Sequence, residues 1–413
     1  MSDNVKDLIE EINYFSDDEY EKRREARKAR VEKEKKRQLL YRKLFVAGIG
    51  VILVAIIIGI LVGVISCSVK RHSEASATNT DNQAGDLNII IPTDMNVGLP
   101  DEVVDEINKP DTVYNSQGKE RLFTLDADDY VFTESANTTG VTYSGFYSQY
   151  AIIIDVDNKD ILAATQGYAR MYPASMTKVM TVLTARQYIT DEELDNYIEI
   201  TQDATDYAFA HGCSAVNFTV GEKVTIRDLF YGTILKSGAD AAYMLAVYVA
   251  GSHEEFVKLM NENCEALGIS ETTHFSNCVG IHTEDNYSTC YDMAVIMTAT
   301  VQDEFLQEVM DARKYTTTCT VENENGITIS NLFLRRIEDF VTGGYVCAAK
   351  TGFVNQSGNC AVSYMQGDDG KNYVCVTGHG GSAWQEVYDH IALYNIYVSG
   401  NTGFSGAVKK AVQ

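Results

Sequence analysis

Hydrophobic and polar positions divide the chain into four stretches of different pattern. Residues 1–43 show no apolar face; 12 Lys/Arg fall between Lys22 and Lys43, interleaved with Glu25, Glu32 and Glu34. That composition reads as a charged, solvated arm. Residues 44–65 are 22 consecutive positions without a charge, rich in Ile, Val, Leu and Gly. At 1.5 Å per residue such a helix crosses a bilayer core of about 30 Å. The basic cluster lies before it and only Lys70 and Arg71 follow closely, so the positive-inside rule keeps the arm cytoplasmic and exports the remainder. A cleaved signal peptide fits less well, because the apolar run is too long and the arm too extended. The expectation is a single-pass plasma-membrane protein.

Residues 66–142 turn to Ser, Thr, Asn, Asp and Gly and read as an extracellular flexible tether, with an r.m.s. reach of roughly 45–50 Å. Two apolar pieces interrupt it, Ile89-Ile90-Ile91 and Leu122-Phe123-Thr124-Leu125, each suited to a short strand or to docking on the next domain. A compact pattern then runs over 143–413. Residues 151–155 and 161–164 flank Asp157-Asn158-Lys159-Asp160 as a hairpin. Helical spacing follows Ser175 and returns over 226–235, 239–250, 254–266 and 289–300, with Thr289 and Asp292 placed as a capping pair. Strand patterns occupy 345–351, 359–365 and 372–377, and a helix over 384–397 closes the chain. Strands, then helices, then strands with a final helix predict an α+β domain on an antiparallel sheet.

Charge narrows the function. Lys+Arg 34 against Asp+Glu 58 gives −24, and the arm is nearly balanced, so the acidity belongs to the rest of the chain. Nucleic acid is excluded as a partner on that ground. The nine cysteines are an odd number, and no Cys-x-x-Cys or Cys/His spacing suggests zinc. Cys347, Cys360 and Cys375 sit in three consecutive strand patterns, either as a disulfide pair with one left over or as buried thiols.

Candidate chemistry starts at Tyr172-Pro173-Ala174-Ser175-Met176-Thr177-Lys178. Pro173 supports a helix start, which puts Ser175 and Lys178 three residues apart on one face of its first turn. A serine hydroxyl needs a base to take its proton. The positive helix N-terminus and burial both disfavour the ammonium, pushing Lys178 toward the neutral amine. The same N-terminal amides favour a developing oxyanion. Ser237, in Lys236-Ser237-Gly238-Ala239-Asp240 between two helical runs, is placed to hydrogen-bond that amine and relay a proton. Lys350-Thr351-Gly352 ends a strand. A cationic Lys350 beside Lys178 would depress the latter further and attract a substrate carboxylate, which Thr351 can also bind. Gly352, without a side chain, would let a peptide lie along the strand edge. His211, His282 and His379 are assigned structural roles, since a Ser–Lys pair needs no imidazole.

Each triplet alone is short and common. Together, in this order and separated by roughly 60 and 110 residues, they form the set found in penicillin-binding proteins and β-lactamases. From Gln149 to Tyr397 the chain resembles the serine-type D-alanyl-D-alanine carboxypeptidases, the low-molecular-mass penicillin-binding proteins. Val220-Gly221-Glu222-Lys223-Val224-Thr225-Ile226-Arg227-Asp228-Leu229 and the run from His274 to His282 are similar to family segments as well. The resemblance implies a penicillin-binding-protein/β-lactamase-like transpeptidase fold behind one transmembrane helix. It also implies Ser175 as the acylated nucleophile, Lys178 as its base and Ser237 as the relay. Lys350, Thr351 and Gly352 would bind the substrate, and the backbone N–H groups of Ser175 and Phe353 would form the oxyanion hole. The implied partners are the D-Ala-D-Ala stem peptide of peptidoglycan and β-lactams as covalent inhibitors, with no metal or cofactor. One departure is plain: the third position of the second motif, usually Asn, is Ala239. The alternatives are a β-lactamase-like hydrolase and an impaired wall-binding homologue. A missing Glu-x-x-Leu-Asn segment weighs against the first, and the intact Ser–Lys and Lys-Thr-Gly groups against the second.

Overall fold

A computed structural model describes residues 114–401 and 403–408; the expected arm, the expected span over 44–65 and the first part of the tether lie outside the described residues. Among the described residues no helix is long and apolar enough to cross a membrane.

Six strands form the main sheet: β1 (Thr133–Thr139), β2 (Tyr150–Asp155), β3 (Asp160–Thr165), β4 (Gly344–Val354), β5 (Gly358–Gly367) and β6 (Asn372–Gly380), in the order β1-β3-β2-β6-β5-β4. The predicted hairpin and the three C-terminal strands are all present. They pair antiparallel, whereas β1 adds to β3 in parallel, so the sheet is mixed rather than purely antiparallel. Both faces are covered, which is why Ala151-Ile152-Ile153-Ile154 reads as an unbroken apolar run. Ile152 and Ile154 enter the core shared with the helices, while Ala151 and Ile153 enter a second core beneath the C-terminal helix.

Between β3 and β4 lie α1 (Thr177–Arg186), α2 (Gln202–Ala210), α3 (Ile226–Leu235), α4 (Ala239–Ala250), α5 (His253–Ala266), α6 (Cys290–Thr300), α7 (Glu304–Asp311) and α8 (Leu332–Ile337); α9 (Ala383–Leu393) follows β6. The caps explain the boundaries. Thr225 and Asp228 close a reciprocal capping box on α3. On α6 only half of the expected pair forms: Thr289 accepts from the Asp292 N–H, while the Asp292 carboxylate accepts from Thr273 Oγ1 at 2.6 Å. Every residue of α1 is buried, so it runs through the core rather than over it.

Residues 114–142, the last part of the expected tether, pack on the domain. β1 borders the sheet, the Leu122 N–H donates to Gln187 O at 2.7 Å, and Phe123 and Leu125 lie against the helical core. The polar composition misled because β1 is an exposed edge strand that contributes ladder hydrogen bonds and little apolar surface.

Candidate active site

Ser175 sits in a single 3₁₀ turn (Ala174–Met176) that leads straight into α1. Ala174 holds a left-handed φ of 46°. Lys178, one turn on, donates to Ser175 Oγ at 3.2 Å and to the Val279 carbonyl at 2.7 Å. It is 1% exposed. Burial pushes its amine down to about 8, opposed by Cys213, Cys278 and Asp240.

Ser237, at the α3–α4 junction, also has a left-handed φ, of 57°. Its Oγ accepts from Lys350 Nζ at 3.0 Å, not from Lys178 as the sequence suggested. Lys350 Nζ also donates to the Thr351 carbonyl at 2.7 Å. The electrostatic expectation reverses as well. Lys350 is itself fully buried and held well below the ordinary lysine value, first by burial and then by Lys178. Two buried amines facing one groove cannot both stay charged at ordinary cost, and both are held below the ordinary lysine value.

Among the described residues β4 is the outer strand of the sheet, and one row of its backbone groups has no strand partner there. Side chains cover its first half: Arg313 Nη2 donates to Val346 O at 2.8 Å and Asn331 Nδ2 to Ala349 O at 2.9 Å. Strand alternation from Ala349 carries Thr351 and Phe353 to the same open edge. Gly352 turns out to serve the protein's own packing. A Cβ there would lie 2.7 Å from Pro173 O and 2.9 Å from Ser175 N, so only glycine lets β4 close on the nucleophile turn. Ser175 and Phe353, the residue after Gly352, both line one groove.

A groove of about 640 Å³ runs past Ser175, Ser237, Thr351, Gly352 and Phe353. A neighbouring cavity of about 440 Å³ shares Ser214, Ser237 and Thr351 with it. All seven site residues drawn from the sequence therefore border the groove or bond to a residue that does. His211 and His282 line the groove wall without bonding to Ser175 or Lys178, and His379 packs edge-on to Tyr150. Among the described residues the cysteines are all free and none groups with acids or histidines as a metal site. Cys360 and Cys375 lie on opposite faces of the sheet, which keeps them apart. Cys360 Sγ instead bonds to Pro173 O at 3.3 Å. Ala239 is buried, and its N–H donates to Ser214 O at 2.8 Å. Sequence reasoning missed the Val279 carbonyl, because a backbone acceptor leaves no residue-type signal. It belongs to the run from His274 to His282 that already stood out by resemblance.

Residues 137–377 match the family described as D-alanyl-D-alanine carboxypeptidase, more than half of the chain. The chain belongs to that family. Among curated relatives, the D-alanyl-D-alanine carboxypeptidase DacF of Bacillus subtilis is 33% identical over 146 residues, 35% of this chain and 37% of that protein. DacD of Escherichia coli is 31% identical over 188 residues, 43% of this chain and 47% of that one. The chain thus spans less than half the length of these two family members. Among solved structures, the Streptomyces K15 DD-transpeptidase superposes with a TM-score of 0.55 at 26% identity, over 62% of this chain and 99% of that one. A Mycobacterium tuberculosis D-alanyl-D-alanine carboxypeptidase, 21% identical with a TM-score of 0.54, shares the fold.

Proposed function

We propose that this family member is a membrane-anchored serine D-Ala-D-Ala carboxypeptidase that trims the terminal D-Ala from peptidoglycan stem peptides. The observation that carries the reading is the buried Lys178 amine, 3.2 Å from Ser175 Oγ and brought down to about 8. A stem peptide pairs with the open edge at Thr351–Phe353, its terminal carboxylate at Lys350 and Thr351. Ser175 Oγ attacks the penultimate carbonyl carbon while its proton passes to the neutral Lys178 amine. The oxyanion takes hydrogen bonds from the Ser175 and Phe353 N–H groups. As the C–N bond breaks, the leaving nitrogen takes the Ser237 hydroxyl proton, and the Lys178 ammonium replaces it, so Lys178 is neutral again and Ser237 keeps its hydroxyl beside Lys350. Water then attacks the ester carbonyl carbon, giving a proton to the neutral Lys178 amine, which passes it to Ser175 Oγ as the acyl C–O bond breaks, so both groups return to their starting state. Residues 1–65 would anchor the chain, with the arm cytoplasmic and the catalytic domain outside.

The test is labelling of the full-length chain with a fluorescent penicillin, alongside D-Ala release from a pentapeptide. Wild type should label and release D-Ala, and Ser175→Ala should do neither. An unlabelled wild type that also releases nothing would remove the proposal.

A further inference from the structure

We propose that Asn277 is a positioning residue for the base, acting on Lys178 through the Val279 carbonyl. This rests on the reading of Ser175 and Lys178 as nucleophile and base. Asn277 is 4% exposed and forms the core of its own loop. Its Oδ1 accepts from three successive N–H groups, Val279 at 3.2 Å, Gly280 at 2.7 Å and Ile281 at 2.9 Å. Its Nδ2 donates to Ile281 O at 2.9 Å and to Ser276 Oγ at 3.3 Å. With those N–H groups gathered inward on one oxygen, two consecutive carbonyls face α1. Cys278 O accepts from Thr181 Oγ1 at 2.7 Å and Val279 O accepts from Lys178 Nζ at 2.7 Å.

The loop is also pressed against the nucleophile turn. Gly280 has φ +83°, and a Cβ there would fall 1.8 Å from Ala174 O. Cys278 N donates to His253 Nε2 at 3.3 Å, an imidazole that burial keeps below its ordinary value and hence able to accept. A neutral amine has two hydrogens and one lone pair. Committing one hydrogen to Val279 O turns the lone pair toward the Ser175 hydroxyl.

The experiment compares full-length wild type with Asn277→Ala and Asn277→Asp. Penicillin acylation is followed from pH 6 to 10 and resolved into the acylation rate constant and the prior dissociation constant, with melting recorded in parallel. The charged or titratable groups facing Lys178 are Asp240, Cys213, Cys278 and Lys350, unchanged in both variants. Asn277→Ala should lower the rate constant by about 10²-fold, as expected for a displaced catalytic group, with the dissociation constant unmoved. Its pH midpoint should fall below the wild-type value, because the ammonium loses its carbonyl acceptor. Asn277→Asp keeps the acceptor oxygens, so it should recover most of the rate, and its added negative charge should move the midpoint upward. Variants with wild-type rate and midpoint overturn the inference. So does a loss of labelling that follows melting alone with the midpoint in place. A wild type that takes no label overturns the nucleophile–base reading as well, which separates the two failures.

Discussion

Acylation of Ser175 should follow the fraction of Lys178 that carries no proton. At a value of about 8, roughly one Lys178 in eleven is neutral at pH 7. For an ordinary lysine at 10.5 the figure is about one in three thousand, so burial supplies roughly a 300-fold gain in competent base. Holding the amine near 8 rather than 10.5 takes about 3 kcal/mol from the stability of the fold. The sign follows from proton counting. Between pH 8 and 10.5 the unfolded chain holds a proton on this amine that the folded chain has released. Stability contributed by this group therefore rises with pH through that window, and its full cost is present below pH 8. The assay is the second-order rate of fluorescent-penicillin labelling of the full-length chain. The rate should climb about tenfold per pH unit below the midpoint and level off above it. Lys178→Arg keeps the charge but cannot yield a free base, and should lower the rate by about 10²–10⁴-fold without restoring the climb. A flat profile from pH 6 to 9, a midpoint near the ordinary lysine value, or an arginine variant that keeps the wild-type rise would refute the reasoning.

Further outcomes follow from the same geometry. Ser237→Ala should cut acylation by about 10²-fold, read as labelling rate, because the leaving nitrogen loses its donor; an unchanged rate would remove Ser237 from the path. Gly352→Ala places a Cβ 2.9 Å from Ser175 N and 2.7 Å from Cys360 Sγ. It should cost about 1–3 kcal/mol in chemical denaturation and nearly abolish labelling. Burial and Lys178 hold Lys350 well below the ordinary value, so the carboxylate of an unreactive D-Ala-D-Ala analogue placed beside it should raise it again and draw in a proton on binding. Calorimetry in buffers of different ionisation enthalpy measures that uptake, and none would contradict the carboxylate site. Burial raises Glu386 to about 8, so the folded chain binds the extra proton and this group's stabilisation is lost as pH rises from 4.5 through 8. Glu386→Gln should remove that part of the pH dependence of melting; an unchanged slope would count against a buried, protonated Glu386.

How much of this was legible in the sequence depends on which forces write a local pattern. The hairpin β2–β3, the strands β4 to β6 and the long helices all carry their periodicity openly, and the Ser175–Lys178 pair follows from one helical turn. β1 did not, because an edge strand held by ladder hydrogen bonds needs no apolar alternation. The partner of Ser237 did not either. Which of two lysines reaches a hydroxyl depends on where a strand from the far end of the chain arrives. The close approach of Pro173 and Ser175 to Gly352 is a packing demand that strand pattern alone does not announce. Asn277 and Val279 show the limit most plainly. One is a polar residue inside a loop and the other acts through its main chain, so neither spacing nor residue type announces them.

The two side chains that cap the first half of β4 have a consequence for ligand design. Arg313 and Asn331 occupy the Val346 and Ala349 carbonyls and Lys350 already bonds that of Thr351, so what the sheet offers an incoming backbone is confined to the window Thr351–Phe353. Inhibitors that extend along the sheet beyond this window gain nothing from further main-chain pairing and must find their affinity in the groove walls. The same masking denies a second sheet a template, so the domain can leave Thr351–Phe353 open without inviting polymerisation.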